Sequence, residues 1–334
     1  MNAGIEYLFS FRDALAQPAT RVFLWIILGA FVAAPIVMLA LHGRMSEATR
    51  RDAWVRYRTW LLIAPAFLAP VLFAPATAIV AIAVVSILCY REFARATGLF
   101  RERSLSAIVA AGIVLVACAS LDHWYGLFAA LTPLTVIVIA AAAVLPDSPT
   151  GYLQRVSLAS VAFLLFGSGL GHLGYIANDP GYRAILLLIL VSVQLNDIFA
   201  YVCGKSFGRR KLFPRTSPGK TLGGHLGALV LTTAFAAAMG HVVFEGTALD
   251  RWPALIALGL IISVGGQLGD LVLGSIKRDI GVKDMAATLP GHGGFLDRMN
   301  SSLLVAPAVF HFVGYALGYG LEREPRVFSS LLGF

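Results

Sequence analysis

This sequence is short of charge. Only 13% of its 334 residues are Asp, Glu, Lys or Arg, against 58% apolar ones, and a soluble domain of this length needs far more polar surface than that. Cysteine is scarce too. Cys89, Cys118 and Cys203 sit in or beside apolar runs with no paired spacing, which argues against both a disulfide framework and a thiolate zinc site. The seven histidines, among them His292, form no H-x-x-x-H pair, so the helix-borne ligand pair of a zinc hydrolase is missing. No G-x-S-x-G elbow is present, so a serine lipase has no support. Residues 1–21 carry both signs of charge and lack the apolar core and small-residue cleavage site of a removable signal peptide.

What the chain does have is long apolar runs. Uncharged or nearly uncharged stretches fall at 22–41, 104–121, 125–146, 156–177, 184–203, 223–243, 253–274 and 302–320, each long enough to be read as a membrane span. The run 60–90 exceeds one span and is broken by Ala74-Pro75, which predicts two short helices joined by a tight turn. The expectation is an all-α, polytopic integral membrane protein of about ten transmembrane helices with cytoplasmic catalytic loops. Four regions follow: an N-terminal segment 1–21, in which Ile5, Leu8, Phe9 and Leu15 fall near the spacing of an interfacial helix, helices over 22–180, a second helical region over 181–320 carrying loops 204–222 and 275–301, and a tail 321–334.

The basic residues test this count, since Lys and Arg favour the cytoplasmic side. With the N-terminus outside, 20 of the 26 basic residues fall in the segments 42–59, 91–103, 147–155, 204–222 and 275–301, leaving Arg12, Arg21, Arg183, Arg251, Arg323 and Arg326 outside. The net charge of +8 then belongs to loops that face anionic lipid or anionic substrate, and it gives no support to nucleic-acid binding.

Two phosphate-loop look-alikes fail on context. Gly219-Lys220-Thr221 ends like a Walker loop, but Pro214 occupies the place of its first glycine. Gly169, Gly171 and Gly174 match G-x-G-x-x-G inside an apolar span with no βαβ unit; with Gly167 at GxxxG spacing from Gly171, they are read as helix-packing residues.

Of the eighteen acidic residues only Asp197 and Asp270 lie within the predicted spans. A carboxylate at mid-bilayer depth costs roughly 2.5–3.5 kcal/mol even on a lenient insertion scale, which marks such residues as functional. Each opens onto a basic loop containing glycine. After Asp197 come Lys205, Arg209, Arg210, Lys211, Arg215 and Lys220; after Asp270 come Lys277, Arg278, Lys283 and Arg298 interleaved with Asp279, Asp284 and Asp297. A loop that only set orientation would need the basic residues and not the acids. Carboxylates among cations beside Pro290-Gly291-His292-Gly293-Gly294 read as a phosphoryl-transfer site: magnesium takes one or two carboxylates plus substrate phosphates, Lys and Arg neutralise the remaining oxygens, and glycines admit backbone N–H groups to them.

The stretch SIKRDIGVKDMAATLPGHGGFLDRMN, residues 275–300, closely resembles the signature of the phosphatidate cytidylyltransferase (CDP-diacylglycerol synthase) family. The matching positions are Ser275, Lys277, Arg278, Lys283, Asp284, Pro290 to Gly294, Asp297 and Arg298. The similarity reaches back through GDL at 269–271, SPGKT at 217–221, the Asn196-Asp197 to Gly204 stretch and REFARATG at 91–98. Two departures stand out: Asn300 replaces the signature's final acid, and Leu222-Gly223 replaces the usual Trp-Glu.

The resemblance implies an enzyme that joins CTP and phosphatidate to give CDP-diacylglycerol and pyrophosphate with Mg2+. It implies Asp270 and Asp297 as metal ligands and, with Lys277, Arg298 and Asp284, as the catalytic set. For substrate it implies Ser217, Lys220, Arg278, Lys283, Gly291, His292, Gly293 and Gly294, with Asp197 ordering the site from the neighbouring span. By analogy with bacterial members it implies the inner membrane with the site facing the cytoplasm; association as a homodimer stays open. The rival readings are an ion-coupled transporter using Asp197 and Asp270, a weakly active paralogue favoured by the two departures, and a cytidylyltransferase acting on another lipid phosphate.

Overall fold

The structure is a computed structural model that describes residues 3–10, 14–318 and 327–329; Arg12, Arg323, Arg326 and most of the tail 321–334 lie outside the described residues. Helix follows helix along the chain: α1 (Ala3–Leu8), α2 (Pro18–Ala40), α3 (Glu47–Phe73), α4 (Pro75–Thr97), α5 (Arg103–Leu121) and α6 (Tyr125–Ala142). Then α7 (Tyr152–Ala162) runs through a π-helical stretch at Phe163–Gly169 into α8 (Leu170–Ile176), and α9 (Tyr182–Phe207) follows. A short antiparallel hairpin, β1 (Lys211–Phe213) and β2 (Ser217–Thr221), pairs Lys211 with Thr221 and Phe213 with Ser217. The chain closes with α10 (Leu222–Val243), α11 (Trp252–Asp279), α12 (Phe295–Met299) and α13 (Ser302–Leu317).

This is the all-α, polytopic membrane architecture, since helices satisfy their own backbone polar groups where water is absent. Among the described residues eight helical segments, and not ten, are long and apolar enough to cross a membrane. The other two expected spans fall short for different reasons. Helix α13 has only 16 residues, about 24 Å at 1.5 Å per residue. Helix α3 has 27 residues, but its first half carries Glu47, Arg50, Arg51, Asp52, Arg56 and Arg58; the segment 42–59, expected as loop, is therefore largely helix.

Local chemistry sets the boundaries. Ser46 caps α3, its hydroxyl accepting from the Thr49 N–H at 3.2 Å, and Ala74 is extended before Pro75 at the first turn of α4, as a residue before proline should be. Helix α4 continues past the expected end of its span to Thr97, where Gly98 adopts the left-handed conformation at φ 83°. Thr221 caps α10 by accepting from the Gly224 N–H at 3.2 Å.

Of the GxxxG pair, Gly171 packs against another helix as expected, while Gly167 lies against Phe163 of its own segment. A Cβ on Gly171 would stand 2.5 Å from Val116 of α5, so glycine is what lets the two helices approach. Cys89 and Cys203 are buried, Cys118 is exposed, and all three are free. Arg183, expected as an outside charge, is buried and donates to the carbonyls of Leu72, Ser10 and Phe73 at 3.1–3.4 Å, satisfying the last turn of α3.

Candidate active site

At one end of the bundle α9, α11 and the α12–α13 junction meet, with the turn from β2 into α10 beside them. Their closest approach is at Gly269 of α11, where a Cβ would lie 2.5 Å from the Asn300 carbonyl oxygen and 3.2 Å from Ser301 Cα. That contact brings Asp270 to Asn300. Asp270 Oδ1 accepts from Asn300 Nδ2 at 2.5 Å, and Oδ2 is ion-paired with Lys220 Nζ at 2.5 Å. Asn300 Oδ1 accepts the Ser301 N–H at 2.8 Å, and the Ser301 hydroxyl donates to Asp197 Oδ1 at 3.4 Å. Asp197 also lies within the electrostatic reach of Asp270, Lys220 and Arg298.

Asn300, the departure from the signature, thus has a clear physical role. An amide donates to the Asp270 carboxylate without adding charge, whereas a carboxylate there would face it with like charge. Asn196, beside Asp197, ties the floor of the site together: its Oδ1 accepts from Thr232 at 3.1 Å and from Ser263 at 2.8 Å, linking α9, α10 and α11.

Two turns along α11 from Asp270, Lys277 faces Asp297 of α12. Asp297 is almost fully enclosed, its side chain 4% exposed. Oδ1 accepts from Lys277 Nζ at 3.0 Å, and Oδ2 accepts the N–H groups of Gly294 at 2.9 Å and Met285 at 3.1 Å. The bond to Gly294 is half of a capping box, holding the carboxylate at the start of a helix where negative charge is favoured. Asp270, with a side chain 29% exposed, is the more open of the two. Asp297 lies in α12 and Asn300 follows its last residue, so the residue that holds Asp270 is three positions from Asp297.

The PGHGG turn is anchored from outside. Gly291 and Gly293 take φ values of 74° and 78°, a region glycine enters without steric cost, and Leu289 pairs with Gly293 across the turn, its N–H donating to the Gly293 carbonyl at 2.7 Å. Thr59 of α3 donates to the Pro290 carbonyl at 2.8 Å, and the Trp60 ring meets His292 edge-on at 5.8 Å. Burial pulls the His292 pKa below its ordinary value, and Arg298 and Arg56 add to the effect, so the ring is neutral near pH 7 and braces the turn.

The structure therefore joins Asp197, Lys220, Asp270, Lys277, His292, Gly291, Gly293, Gly294, Asp297 and Arg298. Others stand apart. Arg278 donates to the carbonyls of Thr216 and Val282, both at 3.3 Å, stapling the loop before β2 to the end of α11. Ser217 begins β2. Lys283 and Asp284 are exposed on the following loop; the group there that reaches the site is the N–H of Met285.

Thr59 and Trp60 escaped sequence reasoning, and so did a buried acid. Glu92 of α4 is buried; its Oε1 accepts from Phe295 N–H at 3.1 Å and its Oε2 from Leu296 N–H at 2.9 Å, and Thr288 Oγ1 also donates to Oε1. It holds the first N–H groups of α12, which have no partner inside the helix. The signal was present: an acid lies within REFARATG, one of the motifs quoted above. Hydropathy alone ends that span at residue 90 and assigns Glu92 to water.

Metal-holding capacity can be read from the same atoms. Among the described residues no group of three or more His, Cys, Asp or Glu is arranged to hold an ion alone. Magnesium does not need one, because substrate phosphates and water complete its shell. The donors here are hard carboxylate oxygens beside ammonium groups, a set that fits a magnesium–phosphate pair.

A family model described as the cytidylyltransferase family matches residues 54–316. The uncharacterized protein YnbB of Escherichia coli strain K12 is 31% identical over 290 residues, covering 85% of this chain and 95% of that one. The phosphatidate cytidylyltransferases of Staphylococcus haemolyticus and Staphylococcus saprophyticus are 38% identical over 155 residues and 41% over 158. Each alignment covers 46% of this chain, and 55% and 59% of those enzymes. The chain thus spans little more than half the length of the two enzymes.

Proposed function

Since the chain belongs to the cytidylyltransferase family, we propose that it transfers CMP from CTP to phosphatidate, giving CDP-diacylglycerol and pyrophosphate with Mg2+. The observation that carries this reading is a pair of carboxylate–ammonium contacts, Lys220–Asp270 braced by Asn300 and Lys277–Asp297, with Asp270 and Lys277 two turns apart on α11.

The chemistry requires little proton transfer. A phosphate monoester has its second ionisation near pH ~6, by analogy with phosphorylated side chains, so the lipid phosphate is largely dianionic at neutral pH and needs no strong base. One of its oxygens attacks the α-phosphorus of CTP as the bond to the bridging β-oxygen breaks, and pyrophosphate leaves with the electron pair. The barrier is repulsion between two anions. Lys220, Lys277 and Arg298 lower it by holding phosphate oxygens, and the glycines of the turn bring N–H groups within reach. Magnesium, held by Asp270 with Asp297 and the phosphates, would supply further neutralisation of the triphosphate. The basic-residue bias supports a site facing the cytoplasm, and the bacterial relatives support the inner membrane.

Purified protein in detergent with magnesium, CTP and phosphatidate should form pyrophosphate and CDP-lipid in equal amounts, and Asp270→Asn should abolish both while the protein stays folded. No product from any lipid phosphate would overturn the reading. Turnover with a different lipid phosphate, and none with phosphatidate, would move the acceptor and keep the reaction.

A further inference from the structure

Helix α2 stands away from the bundle: only Ala19, Thr20 and Phe23 along its 23 residues are buried. Between it, α3 and α9 lies a cavity of about 550 Å3, within the ~300–1,000 Å3 range of ligand sites. Phe31, Phe67 and Leu195 belong to its long apolar wall, and Tyr57 pins α3 to α2 by donating to the Phe31 carbonyl at 3.1 Å. The lining also includes Gln194, Arg56 and Arg298. The Arg298 Nε is buried with no hydrogen-bond partner among the described residues, while Arg56 is half exposed and forms a surface pair with Asp52 at 2.9 Å. Both arginines adjoin the PGHGG turn and α12: Arg56 is the side chain that a Cβ on Gly291 would meet at 3.2 Å, and Arg298 follows Asp297.

A buried guanidinium N–H without an acceptor is costly, and a phosphate settling beside Arg298, a lining residue of the cavity, would relieve that cost. An apolar trough with two cations among its lining residues, one with an idle donor, is complementary to a molecule with a hydrocarbon tail and a phosphate head. Resting on the function proposed above, we infer that this groove binds an acyl chain of the lipid phosphate substrate, with Arg298 Nε and the Arg56 guanidinium on its phosphate. Arg56 thereby becomes a specificity-determining residue outside the sequence signature. Being bidentate and planar, it suits a phosphate monoester better than an ammonium does.

Phosphatidate carrying a diazirine in one acyl chain tests the site on the unaltered protein. The label is expected on peptides from 26–38, 53–68 and 190–198, displaced by excess phosphatidate and not by diacylglycerol. Ala34→Phe, which narrows the trough, should raise KM for phosphatidate at least tenfold and leave KM for CTP unchanged. Arg56→Ala should do the same, with Arg56→Lys recovering part of the loss. Labelling elsewhere, or labelling that diacylglycerol displaces equally, overturns the inference even when the enzyme turns over. If no lipid phosphate is turned over, the proposed reaction falls, and the labelling still decides whether the groove takes this lipid.

Discussion

Glu92 accepts two backbone N–H groups at the start of α12 from a stretch of α4 in which Cys89, Tyr90, Phe93 and Ala94 are also buried. Replacing it by alanine leaves both donors buried and without water, at about 1–3 kcal/mol each. Glu92→Ala is therefore expected to lower unfolding stability by roughly 2–6 kcal/mol on that scale and to reduce kcat more than KM, because α12 carries Asp297 and Arg298. Glu92→Gln keeps the shape and one acceptor and should recover much of the stability. Denaturant unfolding alongside steady-state kinetics checks both; an alanine variant as stable and active as the parent would show that α12 holds its place without Glu92. The same residue marks where sequence reading stopped. Asp197 and Asp270 were legible because each interrupts an apolar run, whereas Glu92 sits between Arg91 and Arg95 and looks like part of a wet loop. Lys283 and Asp284 match the signature and lie exposed on the loop, and it is the N–H of Met285 that reaches Asp297.

Among the elements, α11 sets the geometry of the site, because one helix carries both Asp270 and Lys277 and makes its tightest contact at the glycine before Asp270. Gly269→Ala would press a methyl group against the Asn300 carbonyl, and overpacking of this kind costs typically 1–3 kcal/mol. The expected outcome is a loss of that size in stability and a fall in kcat of tenfold or more as Asn300 is pushed off Asp270. Thermal unfolding and turnover measured together would check it. Helix boundaries explain most of what the sequence concealed. Hydropathy placed the apolar cores of nearly every helix within a few residues. A helix, however, does not end where its charges begin: α3 runs backward through an arginine-rich stretch and α4 forward to Gly98. The hidden turns hold Arg56, Thr59, Trp60 and Glu92. The β1–β2 hairpin was equally invisible, its strands being three and five residues long with alternation too brief to register.

At the scale of the whole molecule, the connected site sits at one end of the bundle and the Arg183 cap of α3 at the other. The loop bearing Lys283 and the hairpin bearing Arg215 should thus share one side of the membrane, and the turn bearing Glu245, between α10 and α11, should occupy the opposite one. Single cysteines at 215, 245 and 283, in a variant lacking the three native thiols, are expected to react with an impermeant maleimide in two groups: 215 with 283, and 245 alone. Reaction of 215 and 283 from different sides would break the arrangement. The overall plan was readable because lipid demands long apolar helices; which of them count as full spans was not, since length and charge compete in α3 and α13.

The bond from Thr59 to the Pro290 carbonyl joins residues 231 positions apart, and Glu92 reaches α12 across some two hundred. At about 5–20 residues per second of synthesis, α3 and α4 enter the bilayer roughly 10–40 seconds before the turn they secure has been made. Until then Glu92 is an unmatched carboxylate at the membrane boundary, and the nascent protein carries a wound that only its own completion closes. A polypeptide released early would keep that carboxylate without the α12 N–H groups that match it.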